Sequence, residues 1–264
     1  SIESVVLRQP GLSVKPTLYT AVHQLFGLSR EGIHDAQSVL RQFTGDTYSA
    51  NADAWLAFGA MLLRNEIRED PRQAIEEAGE HLANALEADP SNAIVLAIAG
   101  HYEGFLRSDL PLGRHYLAES RRVLPNLAFA WDATALNAIY SNDVDRGAKS
   151  ADVARNLGRY SPYKYYYDAT AVIAATLQGR HRDAIRMGRR VLAKRPKFLP
   201  VLRHLFVSHL ELGEMDEALA CYRQIRQVDT AFGTPRMEDE DYGRTSAASL
   251  AMIKGGLRQI GLLE

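Results

Sequence analysis

The sequence predicts an all-α protein built from stacked pairs of helices, and three observations carry this prediction. Markers of helix ends return at a nearly constant interval along the chain. Apolar residues at helical spacing fill the segments between these markers. The 264 residues are 46% hydrophobic and 24% charged, a composition that suits a chain with a sizeable core.

The interval is clearest in the C-terminal half of the chain. Gly179 in LQGRHRDAI and Gly213 in LELGEMDEAL lie 34 residues apart. Three further pairs repeat at the same interval: Ala184 with Ala218, Val191 with Ile225, and Pro196 with Thr230. This is the period of the tetratricopeptide repeat, in which each unit is a helix–turn–helix. No unit can bury its apolar face alone, so neighbouring units are expected to share one core.

Prolines extend the same spacing towards the N-terminus. Pro90, Pro125, Pro162 and Pro196 follow one another at intervals of 35, 37 and 34 residues. Proline cannot continue a helix and disfavours helical geometry in the residue before it, so each proline is expected to end the second helix of a pair. Glycine in the turn within a pair supplies a left-handed conformation at little steric cost.

These markers predict a tetratricopeptide-repeat superhelix, an α-α solenoid forming a single domain over residues 1–264. It has about six helix pairs and a C-terminal capping helix over 246–260, preceded by a polar loop over 231–245. The insertion NEIREDPR is expected to project as a turn around Pro71. The six repeats are predicted over residues 17–47, 51–90, 92–125, 128–162, 163–196 and 198–230. Their paired helices are predicted near 17–28 and 31–43, 51–65 and 71–88, 92–106 and 112–124, 128–140 and 146–158, 163–177 and 181–194, and 198–212 and 215–228.

Charge and cysteine content restrict the class of partner. The formal net charge is -1, so no basic surplus points to direct binding of nucleic acid or of an anionic membrane. The single cysteine, Cys221, excludes an internal disulfide and a thiolate metal cluster, and it suits a cytoplasmic location.

No apolar run is long enough to span a bilayer. The chain begins at Ser1 without an initiator methionine, so we expect it to be a fragment cut from a longer protein.

Motifs of catalysis are not found, and the sequence predicts no enzyme, no cofactor and no metal site. Asn142 to Gly147, NDVDRG, are interpreted as a polar turn rather than a calcium loop, because Ala154 stands where the loop needs a glutamate. Glu77 and His81 are interpreted as part of a solvated helix face with local pairing. Cys221 is expected to be a small buried hydrophobe rather than a nucleophile.

Two local clusters leave alternatives open. Tyrosines concentrate at 160, 163, 165, 166 and 167, and five of them cannot all point the same way from a helix, so some are expected in the core. Tyr166 is equally compatible with a ligand surface and with packing between repeats. The acidic run from Glu238 to Asp241 is interpreted as a solvated loop in preference to a docking tail for a basic partner.

The first helix of each repeat is expected to line a concave groove that receives a partner. The period places eight candidate contact residues on this face: Asp53, His101, Phe129, Asp132, Tyr166, Thr170, Arg203 and His204. These eight residues lack the lysine, asparagine and arginine pattern of tetratricopeptide domains that clamp a C-terminal carboxylate.

Nearly the whole chain resembles the C-terminal tetratricopeptide region of many bacterial class III adenylate cyclases and winged-helix transcriptional regulators. The resemblance is carried by FTGDTYSANADAWLAFGAMLLR, DPRQAIEEAGEHLANALEADPSNA, LGRYSPYKYYYDATAVIAATLQGRHRDAIRMGRRVLAKRPKF and the closing GGLRQIGLLE. It implies a regulatory module whose catalytic or DNA-binding domain lies upstream.

Together the residues and the resemblance predict a non-catalytic regulatory domain. Its partner is expected to be a protein, a peptide or the protein's own upstream domain in a bacterial signalling or transcription regulator. One alternative is a small-molecule sensor that closes its groove over a metabolite through Phe129, Asp132, Tyr166 and Arg203. The other is an oligomerisation module, for which a homodimer is the simplest form.

Overall fold

A computed structural model describes residues 17–45, 48–64, 71–238 and 246–263 of the chain. Within these ranges the chain forms α-helices joined by turns, with short 3₁₀ segments at Arg41–Phe43 and Pro235–Glu238. The helices are α1 Leu18–Leu25, α2 Arg30–Leu40, α3 Ser49–Leu62, α4 Pro71–Ala88, α5 Ala93–Tyr102, α6 Leu110–Val123, α7 Ala128–Tyr140, α8 Val144–Leu157, α9 Lys164–Leu177, α10 His181–Leu192, α11 Leu199–Glu211, α12 Met215–Val228 and α13 Ala247–Gln259.

Side-chain caps fix where several helices begin. The Thr17 hydroxyl accepts from the Thr20 amide at 3.2 Å, and the Thr20 hydroxyl accepts from the Thr17 amide at 2.9 Å. Asp109 Oδ1 accepts from the Leu112 amide at 2.9 Å at the start of α6. These bonds satisfy amide donors that have no partner inside a first helical turn.

A left-handed residue ends the first helix of each of four pairs. Ser108, Asn142, Gly179 and Gly213 have φ between 61° and 73° and lie 34, 37 and 34 residues apart. In the last three turns the next amide donates to the carbonyl five residues earlier, as from Arg180 to Ala175 at 2.8 Å. The turns at Ser108 and Asn142 therefore belong to the same repeat as those at Gly179 and Gly213, although they contain no glycine at this position.

The chain divides into two compact units. Unit 1 comprises residues 1–134 and 154–164, and unit 2 comprises residues 135–153 and 165–264. In unit 1, α1 packs on α2, α3 on α4 and α5 on α6, while α3 also contacts both α1 and α5. This is the packing expected of stacked helix pairs.

In unit 2, α11 is the central helix of the C-terminal half. It packs against α10, α12 and α13. A small cluster of Ala135, Ala151 and Ala171, with Met187 against it, brings the end of α7 together with α8, α9 and α10. Small residues allow this close approach: a Cβ built on Gly188 of α10 would lie only 2.2 Å from a methyl of Leu205 on α11.

Each predicted helix has an observed counterpart, and the ends differ mostly by one to three residues. The largest difference is in α5, predicted over 92–106, which ends at Tyr102 and continues as a π-helix over Glu103–Arg107. The wider π turn adds a residue, so the Asp109 amide bonds to the Glu103 carbonyl, six residues earlier. No helix in the described ranges has the length and hydropathy to cross a membrane.

Three predicted features lie wholly or mainly outside the described residues. They are the end of the first repeat at residue 47, the part of the NEIREDPR insertion over residues 65–70 and the acidic run that continues to Asp241. The single-domain organisation and the six repeat boundaries remain predictions.

Candidate functional site

The eight predicted groove residues are distributed over both units. Unit 1 contains Asp53 on α3, His101 on α5, and Phe129 and Asp132 on α7. Unit 2 contains Tyr166 and Thr170 on α9, and Arg203 and His204 on α11. All eight lie on first helices of their pairs, as the period predicts. The site is therefore described one unit at a time.

In unit 1 the first helices enclose an aromatic cluster. Phe58 is fully buried, and its ring centroid lies 5.1 Å from that of Phe129, 5.5 Å from that of Phe26 and 5.7 Å from that of Trp55. The Phe58 and Phe129 rings meet at 88°, the edge-to-face arrangement that aromatic quadrupoles favour. The space between these first helices is filled by their own side chains.

His101 belongs to the same cluster. Its ring stacks on Phe105 at 5.4 Å and meets the edge of Phe129 at 6.3 Å. Burial lowers the pKa of His101 to about 4, because a charged imidazolium is costly to remove from water. At neutral pH the side chain is an uncharged aromatic ring in the core.

Tyr163, at the turn before α9, completes the cluster of unit 1. Its ring stacks on Phe26 with centroids 4.1 Å apart and planes within 8°. The tyrosine cluster is thus divided as expected: Tyr165 and Tyr167 are buried, Tyr163 and Tyr166 are half-buried, and Tyr160 is 72% exposed.

The two predicted carboxylates of unit 1 are also buried. Asp53 is 7% exposed and pairs with His81 of α4, with 2.8 Å between Oδ1 and the ring Nδ1. Asp132 is 1% exposed. Glu77, on the same helix as His81, pairs with Arg41 of the preceding 3₁₀ turn at 3.2 Å. Glu77 and His81 were expected to pair locally on their own helix, but both pair with residues outside it.

In unit 2 polar contacts occupy the equivalent face. Arg203 pairs with Asp229 at 2.7 Å, with 12% and 3% of their side chains exposed. His204 Nδ1 lies 2.6 Å from the Pro200 carbonyl, which can only accept, so this nitrogen carries the proton and donates. His204 Nε2 then accepts from the Ser249 hydroxyl at 3.0 Å, which ties α11 to α13. Burial lowers the pKa of His204 to about 4.

The α9 residues of the predicted set pack against their own unit. Thr170 is buried, and the Tyr166 ring stacks on Phe198 with centroids 6.3 Å apart. Of the eight predicted residues, six are buried, and Tyr166 and Arg203 are half-buried. Within each unit the predicted contact face is occupied by the protein itself, and a role in ligand contact remains a prediction.

A shallow, open pocket of about 520 Å³ lies at two inter-helix turns of unit 2. Its lining is mostly polar, and Gln178 donates to Asp145 at 2.7 Å while Arg180 Nη2 donates to Gln178 at 2.7 Å. The bond between Gln178 and Asp145 ties the turn before α10 to the first turn of α8. The remaining lining residues are Asn142, Asp143, Val144 and Leu177.

A strongly basic exposed surface lies on α10 within the described part of unit 2, and the repeat pattern did not indicate it. Residues 180–197 contain eight Arg or Lys residues and one acidic residue, Asp183. Four exposed arginines, which we call the arginine face, lie on one side of α10: Arg182, Arg186, Arg189 and Arg190. Their spacing of i, i+4, i+7 and i+8 places them within an arc of about 100°.

The state of Cys221 agrees with the sequence interpretation. Cys221 is buried, and burial, with Glu217 acting in the same direction, raises the pKa of its thiol to about 11. A thiol held protonated is a poor nucleophile and metal ligand. Within the described ranges, no cluster of three or more His, Cys, Asp or Glu residues has the geometry to hold a metal ion.

Comparison with known proteins gives matches among solved structures alone. No family model and no curated protein matches the sequence. PilW, described as a widely conserved type IV pilus biogenesis factor, is 18% identical with a TM-score of 0.55, over 81% of this chain and 88% of that one. PilF of Pseudomonas aeruginosa is 15% identical with a TM-score of 0.53, over 80% and 83% of the two chains.

A human structure aligns with the full length of the chain. The human IFIT1 dimer with m7Gppp-AAAA is 13% identical with a TM-score of 0.61, over 100% of this chain and 64% of that one. At these identities the likeness shows the fold alone. The chain has an all-α fold of the tetratricopeptide solenoid class.

Proposed function

We propose that this chain is a non-catalytic interaction module that binds a protein or peptide partner through an exposed second-helix face, with α10 contributing the main surface. The fold supports this, because stacked helix pairs present long, regular side-chain surfaces. The observation that carries the choice of surface is burial. Six of the eight first-helix candidates are buried, whereas the four arginines of α10 are exposed.

The finer part of the proposal concerns context. We infer a regulatory role in which the partner is another protein or an upstream domain of the same polypeptide, in a cytoplasmic bacterial signalling or transcription regulator. The resemblance to the C-terminal regions of cyclases and winged-helix regulators supports this part. A role as a small-molecule sensor remains a prediction of the sequence, as does homodimer formation.

A peptide-display selection against the full chain tests the coarser proposal. Enriched peptides are then titrated by calorimetry into the wild type and into a variant with Arg182→Gln, Arg186→Gln and Arg190→Gln. We expect saturable binding that this variant weakens. Failure of every enriched peptide and of the upstream polypeptide to bind the wild type would overturn the proposal.

Calorimetry with the polypeptide encoded upstream tests the regulatory part separately. We expect binding in trans. If selected peptides bind while the upstream polypeptide does not, the chain is an interaction module without the proposed regulatory link in cis.

A further inference from the structure

The arginine face is a narrow strip of positive charge. The opposite side of α10 is buried through Ala184, Ile185, Gly188 and Val191. This packing fixes the rotation of the helix and directs the four arginines to solvent. From Arg182 to Arg190 the strip is about 12 Å long, because a helix rises about 1.5 Å per residue. Lys194 and Lys197, both exposed, continue the positive charge beyond the end of the helix.

Most of this charge is not neutralised within the described part of the chain. Asp183 pairs with Arg186 at 2.8 Å and with Arg180 at 3.5 Å. No carboxylate of the described residues forms an ion pair with Arg182, Arg189 or Arg190. Like charges at i and i+4, as in Arg182, Arg186 and Arg190, repel one another and destabilise a helix slightly. An anionic partner relieves that repulsion.

The composition of the strip favours carboxylates carried on a protein chain. Guanidinium groups match carboxylates and phosphates in bidentate geometry, and here Arg180 and Arg186 already receive a carboxylate, that of Asp183. The α10 sequence HRDAIRMGRRVL contains no phenylalanine, tyrosine or tryptophan. Single-stranded nucleic acids are bound by stacking their bases on such rings, which this surface does not supply.

The flank of the strip also argues against a broad polyanion such as a duplex. Asp216 and Glu217 are exposed in the first turn of α12. Arg189 and Glu217 both act electrostatically on the Cys221 thiol, so Glu217 lies on the same side of α10 as Arg189, towards the C-terminal end of the strip. A duplex laid across this region would bring phosphates against those carboxylates. A single acidic segment along α10 avoids them.

We propose that the arginine face binds an acidic segment of a partner protein, with carboxylates spaced to meet Arg182, Arg186 and Arg190. This inference rests on the proposed function and specifies the chemistry of the partner. Each exposed ion pair contributes little by itself, so the affinity is modest and falls as salt screens the charges.

The test is fluorescence anisotropy with a labelled synthetic peptide that carries glutamate at every fourth position, titrated with the full chain. A peptide with glutamine at those positions is the ligand control. The protein variant is Arg182→Gln/Arg186→Gln/Arg190→Gln. Its matched control is Arg107→Gln/Arg114→Gln/Arg146→Gln, which removes three exposed arginines from elsewhere. Circular dichroism confirms that both variants fold.

We expect the acidic peptide to bind the wild type and the glutamine peptide not to bind. The α10 variant should bind about tenfold more weakly, the loss expected for three exposed pairs of about 0.5 kcal/mol each. The matched control should change the affinity less than twofold.

Three results would overturn the inference. One is equal weakening by the α10 variant and the matched control, which would show attraction to overall charge alone. Another is tighter binding of a DNA duplex of equal charge, and the third is self-association of the chain that the α10 variant abolishes. If the acidic peptide does not bind but a display-selected peptide or the upstream polypeptide does, the inference fails and the proposed function stands.

Discussion

The two units bury the same face of their first helices by different chemistry. In unit 1 the face is mainly aromatic, centred on Phe58 with Trp55 and Phe129 around it. In unit 2 it is more polar, with the Arg203–Asp229 pair and the bonds of His204 to Pro200 and Ser249 beside the Tyr166–Phe198 stack. One helix-pair framework therefore accommodates both solutions. The repeat sets the positions of the helices, but it does not determine which side chains fill the space between them.

The difference predicts different responses to mutation. Aromatic packing is non-directional, so its loss costs free energy in proportion to the area and the cavity left behind. A buried polar contact depends on both partners, and removing one leaves the other without compensation. The following predictions test this contrast, from the largest expected effect to the smallest.

Phe58→Ala should lower the free energy of unfolding by about 4 kcal/mol, because it removes a fully buried ring and leaves a cavity among three other rings. Urea unfolding followed by circular dichroism measures this loss. Tyr48→Ala is the matched control, since that ring is 58% exposed, and it should change the free energy by less than about 0.5 kcal/mol. Equal losses for the two variants would contradict an aromatic core in unit 1.

Arg203→Met should cost about 3 kcal/mol, because Asp229 is then buried without its cation. Replacing both partners, as Arg203→Met/Asp229→Leu, should cost less than the single change, since no unpaired charge remains. The same urea titration measures both variants. Arg223→Ala, at an exposed position of α12, serves as the control. A double variant less stable than the single one would contradict the idea that the cost of Arg203→Met comes from the unpaired charge of Asp229.

The pH dependence of stability should report the two buried histidines. Burial lowers the pKa of both His101 and His204 to about 4, from about 6.5 in the unfolded chain. The unfolded state therefore binds more protons below pH about 6.5, and stability falls as the pH drops from there towards 4. Each histidine should account for about 2 kcal/mol between pH 7 and pH 4.5.

His101→Phe and His204→Gln separate the two contributions. Each variant should remove its own share of the pH dependence measured by urea unfolding at the two pH values. His101→Phe keeps an aromatic ring in the cluster of unit 1, whereas His204→Gln keeps a donor for the Pro200 carbonyl. A pH dependence unchanged in both variants would contradict the burial of neutral imidazoles.

Gly179→Ala should cost about 1 kcal/mol, the smallest of these effects. Its φ of 72° is left-handed, and a Cβ there meets no atom within 4 Å, so the cost is conformational alone. Asn142→Gly, at the equivalent turn one repeat earlier, should change stability by less than about 0.5 kcal/mol, because asparagine tolerates this conformation. A larger effect at Asn142 than at Gly179 would refute the equivalence of the turns.

Much of the fold was predictable because it follows from local rules. The 34-residue offsets, the proline spacing and the turn glycines fixed the helices to within a few residues in most cases. The π-helix after Tyr102 and the left-handed turns at Leu28, Ser108 and Asn142 were not predicted. Leu28, Ser108 and Asn142 are not glycines, so residue type did not mark these turns as glycine marks those at Gly179 and Gly213.

The candidate site was less predictable, since periodicity tells which side a residue faces but not what fills the space there. His101 and Phe129 lie on first helices, yet whether they line an open surface depends on Trp55 and Phe58 beside them. That information is three-dimensional. The same position in the repeat can therefore lie on an exposed contact surface in one solenoid and in the core of another.

Net charge concealed the arginine face because it averages over the whole chain. The second helix α4 carries Glu76, Glu80 and Glu87 at exposed positions, whereas the second helix α10 carries four exposed arginines. These opposite charges largely cancel in a total of -1. A charge count restricted to residues 180–197, combined with the i, i+4 spacing, would have found the surface from sequence alone.

The central claim is that this module binds through the second-helix surface of α10 and not through the filled first-helix faces. Chemical-shift mapping on the full chain, with the glutamate-bearing peptide added, tests it most directly. We predict that the largest shifts fall on the amides and guanidinium groups of Arg182, Arg186 and Arg190. Shifts concentrated instead at Asp53, Phe129, Tyr166 or His204 would contradict the claim and restore the groove as the binding site.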